Sequence, residues 1–191
     1  TVTGYSSTPL AFRWTQASGM VDLGDLAGGD YASYAMAISA DGSVIVGTGT
    51  KTSNIVEAFR WTNETGLVGL GDLPGGTVYS LGTDVAADGS IVTGVSSGFG
   101  PTQEAFVWDE VHGMRSLSQF LSFEHGLDVG GWTFVTVRVS GDGQTFVGQA
   151  LNPEGSIEAY VAHVPEPGSL ALSYIGVLLL WVRPFSGRRL R

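Results

Sequence analysis

The sequence contains no cysteine, and only 14% of its 191 residues are charged, against a typical share of about 25%. The missing cysteine excludes a disulfide framework, thiolate metal sites and a cysteine nucleophile. Long runs of Ala, Leu, Glu and Lys are also missing, which argues against a helical bundle. Glycine, in contrast, occurs 29 times. This composition is typical of many short strands joined by tight turns, because such turns need residues that tolerate positive φ.

Basic residues are scarce and unevenly distributed. Up to residue 164 the chain carries five basic and seventeen acidic residues, a net charge of −12. The remaining segment carries four arginines and one glutamate, a net charge of +3. Since an acidic body repels phosphate backbones, the sequence predicts no nucleic-acid partner.

Three copies of one repeat, at residues 11–57, 58–104 and 105–158, cover most of the chain. The first two copies align without a gap, and 20 of their 47 positions are identical. The third copy is looser and has gained seven residues around 121–129. Residues 2–7 match the end of a copy, and residues 158–160 match the start of one. Self-similarity at this period is typical of stacked repeat proteins, so we assign residues 1–163 to a repeat region.

Each copy contains four short apolar segments, which in the first copy lie at 11–15, 19–24, 34–39 and 43–47. The last two are predicted to form a hairpin, with Asp41-Gly42 as its turn. Four short strands in such a unit match a β-propeller blade. The predicted fold is therefore all-β, with four-stranded antiparallel repeats stacked as part of a β-propeller. Propellers typically have about four to eight blades, so closure needs a longer parent protein, an oligomer or an open array, and we favour the longer parent.

A single four-stranded sheet cannot bury both of its faces, so neighbouring copies are predicted to stack. The aromatic side chains of each Ala-Phe-x-Trp strand are the candidates for filling the space between sheets. They are Phe12, Trp14, Phe59, Trp61, Phe106 and Trp108.

The repeated segments resemble the extracellular repeats called HAF, after a His-Ala-Phe core. Ala-Phe-Arg-Trp, Leu-Gly-Asp-Leu-(Pro)-Gly-Gly and Ser/Ala-Ala-Asp-Gly-Ser carry the resemblance across residues 1–162. The position of the name-giving His is held by Leu10, Glu57, Glu104 and Glu158. The resemblance implies an exported bacterial surface protein and no particular activity.

The final segment, 164–191, has three parts in order. The first is Val164, Pro165, Glu166 and Pro167, in which the prolines hold the backbone extended. The second is an apolar run, predicted to be a C-terminal hydrophobic helix and membrane segment, with Leu170, Leu172, Ile175, Val177, Leu178, Leu179, Leu180 and Trp181. The third is a basic stop of Arg183, Arg188, Arg189 and Arg191, which favours a cytoplasmic end.

The uncharged span from residue 167 to residue 182 has 16 residues. As a helix it would measure about 24 Å, against a hydrocarbon core of about 30 Å. The span is short for a bilayer, which thinning or snorkelling arginines would accommodate. A buried C-terminal helix is the alternative, and the arginines that follow the run argue against it.

The three parts resemble the PEP-CTERM sorting signal of Gram-negative bacteria. The resemblance implies two partners, the inner membrane and an exosortase-type processing protease. Cleavage would fall near Pro165-Glu166-Pro167 and would transfer the body to the cell surface or release it.

Few residues suggest chemistry beyond this. Asp25 and Asp72 recur and are calcium candidates, but a turn role explains them more simply. Asp41, Asp88 and Asp142 precede Gly at predicted hairpin tips. No metal or cofactor is predicted.

The three histidines, His112, His125 and His163, have no partner at metal-ligand spacing, and no catalytic triad is expected. The Phe123–Asp128 loop, in the insertion of the third copy, is a weak candidate for binding. The sequence thus predicts a non-enzymatic structural or adhesive protein of the cell envelope. The alternative is a carbohydrate-binding or glycan-active propeller, with an extracellular polysaccharide as the partner.

Overall fold

The computed structural model describes residues 1–5, 10–29, 32–51, 55–75, 79–97 and 103–164. Within these ranges the chain forms fifteen strands in four antiparallel sheets. The first sheet contains β1 (Val2–Tyr5), β2 (Ala11–Thr15) and β3 (Gly19–Gly24). The second contains β4 (Ser33–Ile38), β5 (Val44–Lys51), β6 (Ile55–Thr62) and β7 (Gly66–Gly69).

The third sheet contains β8 (Ser80–Val85), β9 (Val92–Ser97), β10 (Gln103–Asp109) and β11 (Gly113–Ser116). The fourth contains β12 (Thr133–Phe134), β13 (Arg138–Val139), β14 (Thr145–Leu151) and β15 (Ile157–His163). In this last sheet β15 pairs with one edge of β14, and β12 and β13 share the other edge. The prediction of an all-β fold built from four-stranded antiparallel sheets is confirmed.

The sequence repeat and the sheet are out of phase. The copy at 11–57 supplies β2 and β3 to the first sheet and then β4 and β5 to the second. The Leu-Gly-Asp-Leu segment therefore begins at the end of β3, the last strand of the first sheet, and starts the connection to β4, the first strand of the second sheet. The match of one copy to one four-stranded blade is therefore corrected by two strands, because a repeat period fixes the length of the unit but not where the sheet begins.

In each sheet a glycine pairs with an aromatic residue in the strand that follows it along the chain. The pairs are Gly4 with Phe12, Gly47 with Phe59, Gly94 with Phe106, and Gly148 with Tyr160. A Cβ at Gly94 would lie 2.0 Å from the carbonyl oxygen of Leu81 and 2.6 Å from the Phe106 ring. The neighbouring strand β8 has a register shift opposite Gly94, between Gly82 and Asp84. Glycine is required here because a bulged backbone and a buried ring both approach the strand closely.

Three hydrophobic clusters separate the four sheets. Phe59 and Trp61 belong to the cluster between the first and second sheets, whereas Phe106 belongs to the cluster between the second and third. Burying an aromatic side chain of this size contributes roughly 4–6 kcal/mol before conformational entropy is counted. The prediction that these aromatics lie between sheets is confirmed for Phe59, Trp61, Phe106 and Trp108. Phe12 and Trp14 belong to none of the three clusters, and Trp14 is 42% exposed. No described sheet packs on that side of the first sheet.

In the third copy, the residues that replace the Leu-Gly-Asp-Leu segment and the start of the insertion form two short helical turns, α1 (Leu117–Gln119) and the π-helical α2 (Phe120–Glu124). Ser116 caps α1 through a reciprocal pair of hydrogen bonds with Gln119. Leu117, Phe120 and Leu121 are buried in the cluster between the third and fourth sheets. These two helical turns therefore pack into the hydrophobic cluster between the third and fourth sheets.

The predicted C-terminal hydrophobic helix lies outside the described residues, which end at Val164. In the part of the chain that is described, no helix has the length and apolar character needed to cross a membrane.

Candidate functional site

Arginine and tryptophan side chains link successive sheets. The Cζ atom of Arg13 lies 5.6 Å from the centre of the Trp61 ring, and that of Arg60 lies 5.8 Å from the centre of the Trp108 ring. Arg13 lies in β2 of the first sheet and Trp61 in β6 of the second, and likewise Arg60 lies in β6 and Trp108 in β10 of the third. Both Nε atoms are buried without a hydrogen-bond partner among the described residues. Both arginines therefore contact the next sheet through a cation–π interaction with a tryptophan ring.

A buried serine joins each of the first two pairs of sheets by hydrogen bonds. Ser33 Oγ accepts from the Ala11 N–H at 3.0 Å and donates to the Gly24 carbonyl at 2.5 Å. Ser80 Oγ accepts from the Ala58 N–H at 2.9 Å and donates to the Gly71 carbonyl at 2.6 Å. In both cases the serine is the first residue of its strand, and it bonds one backbone group in a strand of the preceding sheet and one at or just beyond the end of that sheet's last strand. The repeat thus satisfies backbone groups at the sheet boundary that packing alone would leave unpaired.

Asp25 holds the crossing segment between the first and second sheets. One carboxylate oxygen accepts from the Leu26 N–H at 2.8 Å. The other accepts from the Ala32 N–H at 2.9 Å and from the Thr50 hydroxyl at 3.0 Å. Both oxygens are used by protein donors, as expected of a turn residue. No group of three or more His, Asp or Glu side chains within the described ranges is arranged to hold a metal ion.

The Asp-Gly turns lie at the hairpin tips where the sequence predicted them. The hydroxyl of Ser39, together with the N–H and hydroxyl of Ser43, lowers the pKa of Asp41 to about 2. Hydrogen bonds from Ser90 likewise lower the pKa of Asp88, and a hydrogen bond from Ser140 lowers that of Asp142.

These turns also join neighbouring sheets. The Ala40 N–H donates to the Ala87 carbonyl at 2.9 Å, and the Ala87 N–H donates to the Gly141 carbonyl at 2.9 Å. Gly89 combines a φ of 75° with a position where a Cβ would lie 2.4 Å from a methyl group of Val44. The turn aspartates therefore stabilise a connection between sheets.

A cleft of about 300 Å³ opens between the second and third sheets. Its walls come from three places: the second sheet, the Asp-Gly turn of the third sheet, and the turn between β10 and β11. The lining residues are Arg60, Gly89, Ser90, Ile91, Trp108, Asp109, Glu110, Val111 and His112. Its volume falls at the lower end of small-molecule sites, which are about 300–1,000 Å³.

Charged side chains form a connected network at one side of the cleft. Asp109 accepts from the N–H of His112 at 2.8 Å and lies 3.0 Å from its Nδ1. Arg115 donates to Asp109 at 2.6 Å and to Glu124 at 2.5 Å. Burial alone would raise the pKa of Asp109, but the hydrogen bonds from His112 and Arg115 lower it below its usual value. Asp109 is therefore held as a carboxylate that fixes the orientation of His112.

The same turn has a different chemistry in the other copies. Thr62 Oγ1 lies 2.8 Å from Thr65 Oγ1, and Thr15 Oγ1 lies 2.7 Å from Ser18 Oγ. Asp109 and His112 occupy the matching positions of the third copy. Sequence reasoning missed this site, although the aligned copies contain its signal: a pair of hydroxyl side chains is replaced by a carboxylate and an imidazole.

The other histidines have local roles. His125 packs edge-on against Phe120 at 4.7 Å between ring centres, and burial lowers its pKa. His163 Nδ1 lies 3.1 Å from the Thr145 hydroxyl. In the Phe123–Asp128 loop, Phe123 is exposed, whereas Glu124 pairs with Arg115. The loop thus touches the charged network through Glu124 but does not line the cleft.

Val164, the first residue of the predicted sorting motif, is only 4% exposed, and its N–H donates to the Gln144 carbonyl at 2.8 Å. Val164 itself is therefore buried in the folded body and not accessible. All other residues predicted for the tail lie outside the described residues. They are Pro165, Glu166, Pro167, Leu170, Leu172, Ile175, Val177, Leu178, Leu179, Leu180, Trp181, Arg183, Arg188, Arg189 and Arg191.

Comparison with known proteins gives a fold and no family. No family model and no curated protein matches the chain. Among solved structures, TolB from Acinetobacter baumannii matches with a TM-score of 0.52 and 13% identity, over 83% of this chain and 36% of that one. The putative TolB from Agrobacterium tumefaciens gives a TM-score of 0.47 at 11% identity, over 81% of this chain and 52% of its own. The chain thus spans just over a third of the first structure, and this likeness supports a propeller-like β fold.

Proposed function

We propose that this chain is part of an exported structural or adhesive repeat protein of the bacterial cell envelope. Its partners in this proposal are the inner membrane, an exosortase-type processing protease and an extracellular polysaccharide. The observation that carries the proposal is that the recurring polar side chains form hydrogen bonds within the protein's own scaffold. Ser33, Ser80, Asp25 and Asp41 all bind groups within the sheets and their connections. Because these side chains recur in the repeat and hold its own strands and turns together, they favour a structural role.

The tail supports the export and the envelope location in this proposal. Its extended Pro-Glu-Pro segment, apolar run and terminal arginines resemble a PEP-CTERM signal in all three parts. The body before it ends in an ordered strand, β15, and a buried Val164. A protease acting after Val164 would leave the described sheets intact.

The test is to produce the chain behind a cleavable export signal in a Gram-negative host, with and without an exosortase-type protease. We expect a body shortened by the tail only when the protease is present. The double substitution Pro165→Ala and Pro167→Ala should prevent the shortening, whereas Pro153→Ala, in an exposed turn of the body, should not. Replacing Arg183, Arg188, Arg189 and Arg191 with glutamate should release the precursor from the membrane fraction. Unchanged size and fractionation in these variants would contradict the proposal.

Carbohydrate binding is a second candidate, favoured by the cleft between the second and third sheets. Binding fits the geometry better than glycan cleavage does. A glycosidase acid needs a carboxyl whose pKa is raised, so that it holds a proton. Asp109, the carboxylate fixed at the cleft, is paired with Arg115 and has a lowered pKa.

A further inference from the structure

We propose that the cleft between the second and third sheets binds an uncharged hexose ring of a polysaccharide. The proposal rests on the adhesive part of the proposed function and assigns it a place on the molecule. It is argued from the cleft walls, from the side chains of Arg60 and His112, which line the cleft, and from the charge around them.

The cleft combines apolar walls with polar groups at its rim. Ile91, Trp108 and Val111 contribute apolar surface, and Val111 is strongly exposed although it is a large hydrophobic side chain. A pyranose ring has the complementary character, with apolar C–H faces and hydroxyl groups around its edge. Sites of this kind bind through apolar contact and take their specificity from a few placed polar groups.

Arg60 lines the cleft, and its terminal guanidinium N–H groups have no hydrogen-bond acceptor among the described residues. Its Nε is buried and likewise without a described partner, so the terminal N–H groups are the donors that a ligand could use. A guanidinium that lies over an aromatic ring keeps N–H groups at its edge for other acceptors. Arg60 can therefore donate to sugar oxygens without leaving Trp108.

His112 supplies a second polar group, which Asp109 holds in place. Asp109 engages Nδ1 at 3.0 Å, and the His112 side chain is 55% exposed. A neutral histidine that donates from Nδ1 has an acceptor at Nε2. This acceptor suits a sugar hydroxyl, as does the neighbouring carboxylate of Glu110, which also lines the cleft.

The charge around the cleft selects an uncharged ring over an acidic one. Asp109, Glu110 and Glu124 carry negative charge here, against Arg60 and Arg115. The body as a whole carries a net charge of −12. An anionic polymer would be repelled over a distance of about 8–10 Å at ordinary ionic strength. Neutral hydroxyl groups use both the donors and the acceptors of this cleft without that penalty.

The repeat provides a matched control for each half of the site. Arg13 stacks on Trp61 as Arg60 stacks on Trp108. However, the turn beside Trp61 reads Thr62-Asn63-Glu64-Thr65 rather than Asp109-Glu110-Val111-His112. An effect of the cation–π contact on folding is therefore shared by both arginines, whereas an effect on sugar binding should belong to Arg60 alone.

The experiment measures retardation of the full chain, purified in mild detergent, in native gels that contain dextran, laminarin or galactomannan. Alginate, as an acidic polysaccharide, and poly-glutamate are the comparison polymers. We expect at least one neutral polymer, and neither acidic one, to retard the wild-type chain. Arg60→Gln should weaken this affinity by about tenfold or more, since a hydrogen bond from a charged donor is lost. Arg13→Gln should leave the affinity unchanged.

A second variant replaces the turn with the sequence of the preceding copy, through D109T, E110N, V111E and H112T. It should fold, because that sequence forms the same turn in the second sheet, and it should lose the retardation. Equal losses in Arg13→Gln and Arg60→Gln, or undiminished binding by the turn variant, would overturn the cleft as the site. Retardation by alginate alone would overturn the uncharged ligand. Failure of every polymer would overturn this inference, while export and tail processing would still test the proposed function separately.

Discussion

Phe134 occupies in the fourth sheet the place that Ser80 occupies in the third. Phe134 of β12 pairs with Ala150 of β14, just as Ser80 of β8 pairs with Ser96 of β9. The serine hydroxyl bonds two backbone groups of the preceding sheet, whereas the phenyl ring packs edge-on against Tyr160 at 4.8 Å. At the third boundary between sheets, Phe120 of α2 packs edge-on against Phe146 at 5.2 Å, and Asp84 accepts from the Val139 N–H at 3.2 Å. The first two boundaries depend on a buried hydroxyl.

Removing that hydroxyl should weaken the fold. Ser33→Ala and Ser80→Ala each leave a buried N–H and a carbonyl without a partner. We expect a loss of about 1–3 kcal/mol in the free energy of unfolding for each variant, measured by urea titration. Ser156→Ala, in an exposed turn, is the control and should change stability by less than about 0.5 kcal/mol. Equal effects in the three variants would show that the serine bridges do not stabilise the sheet boundaries.

Two equivalent tryptophans of the repeat, Trp61 and Trp14, should respond differently to truncation. Trp61 is 9% exposed and lies under Arg13, whereas Trp14 is 42% exposed. Trp61→Ala should cost about 3–5 kcal/mol, as large-to-small changes in a core do. Trp14→Ala removes less buried area and should cost less than half as much. Thermal and urea unfolding of both variants provide the measurement, and a larger loss at Trp14 would contradict the stacking order of the sheets.

The central-strand glycines should tolerate no side chain. Gly94→Ala places a Cβ 2.0 Å from the Leu81 carbonyl oxygen, which forces the bulged inner strand away. We expect a loss of at least about 1–3 kcal/mol, as in overpacked cores. Gly141→Ala is the matched control, because its Cβ would meet Ala87 at an ordinary 3.4 Å. If Gly94→Ala proved as stable as Gly141→Ala, the proposed reason for the repeated glycine would be wrong.

Much of the fold could be predicted from local sequence, and the reasons are visible in particular residues. Asp41-Gly42 predicts a turn because the chemistry that makes the turn is contained within five residues, from Ser39 to Ser43. The phase of the sheets could not be predicted, because it depends on hydrogen bonds between residues far apart in the chain. Ser33 and Ala11, which mark one sheet boundary, lie 22 residues apart.

The candidate site was hidden for a related reason. Arg60 and His112 come from different copies of the repeat, and only the stacking of the second and third sheets brings both to one cleft. The sequence singled out the Phe123–Asp128 loop because it is irregular. The irregularity instead reflects the filling of a boundary by Phe120 and Leu121. The sorting tail remains a prediction from the sequence.

Acid should weaken the fold through the turn aspartates. The pKa of Asp41 is lowered to about 2 in the folded protein by Ser39 and Ser43, against a value of about 3.9 in an unfolded chain. A lowered folded pKa contributes stability that is fully present above the unfolded value and is lost as the pH falls towards the folded value. Hence the free energy of unfolding should decline between about pH 4 and pH 2, and Asp88 and Asp142 should add to the decline in the same direction. Asp41→Asn keeps an oxygen acceptor for the turn but cannot titrate, so urea titrations of this variant at pH 5 and pH 2.5 should show a smaller difference than those of the wild type. An identical pH dependence in the two proteins would mean that the Ser39 and Ser43 bonds to Asp41 do not favour the ionised carboxylate.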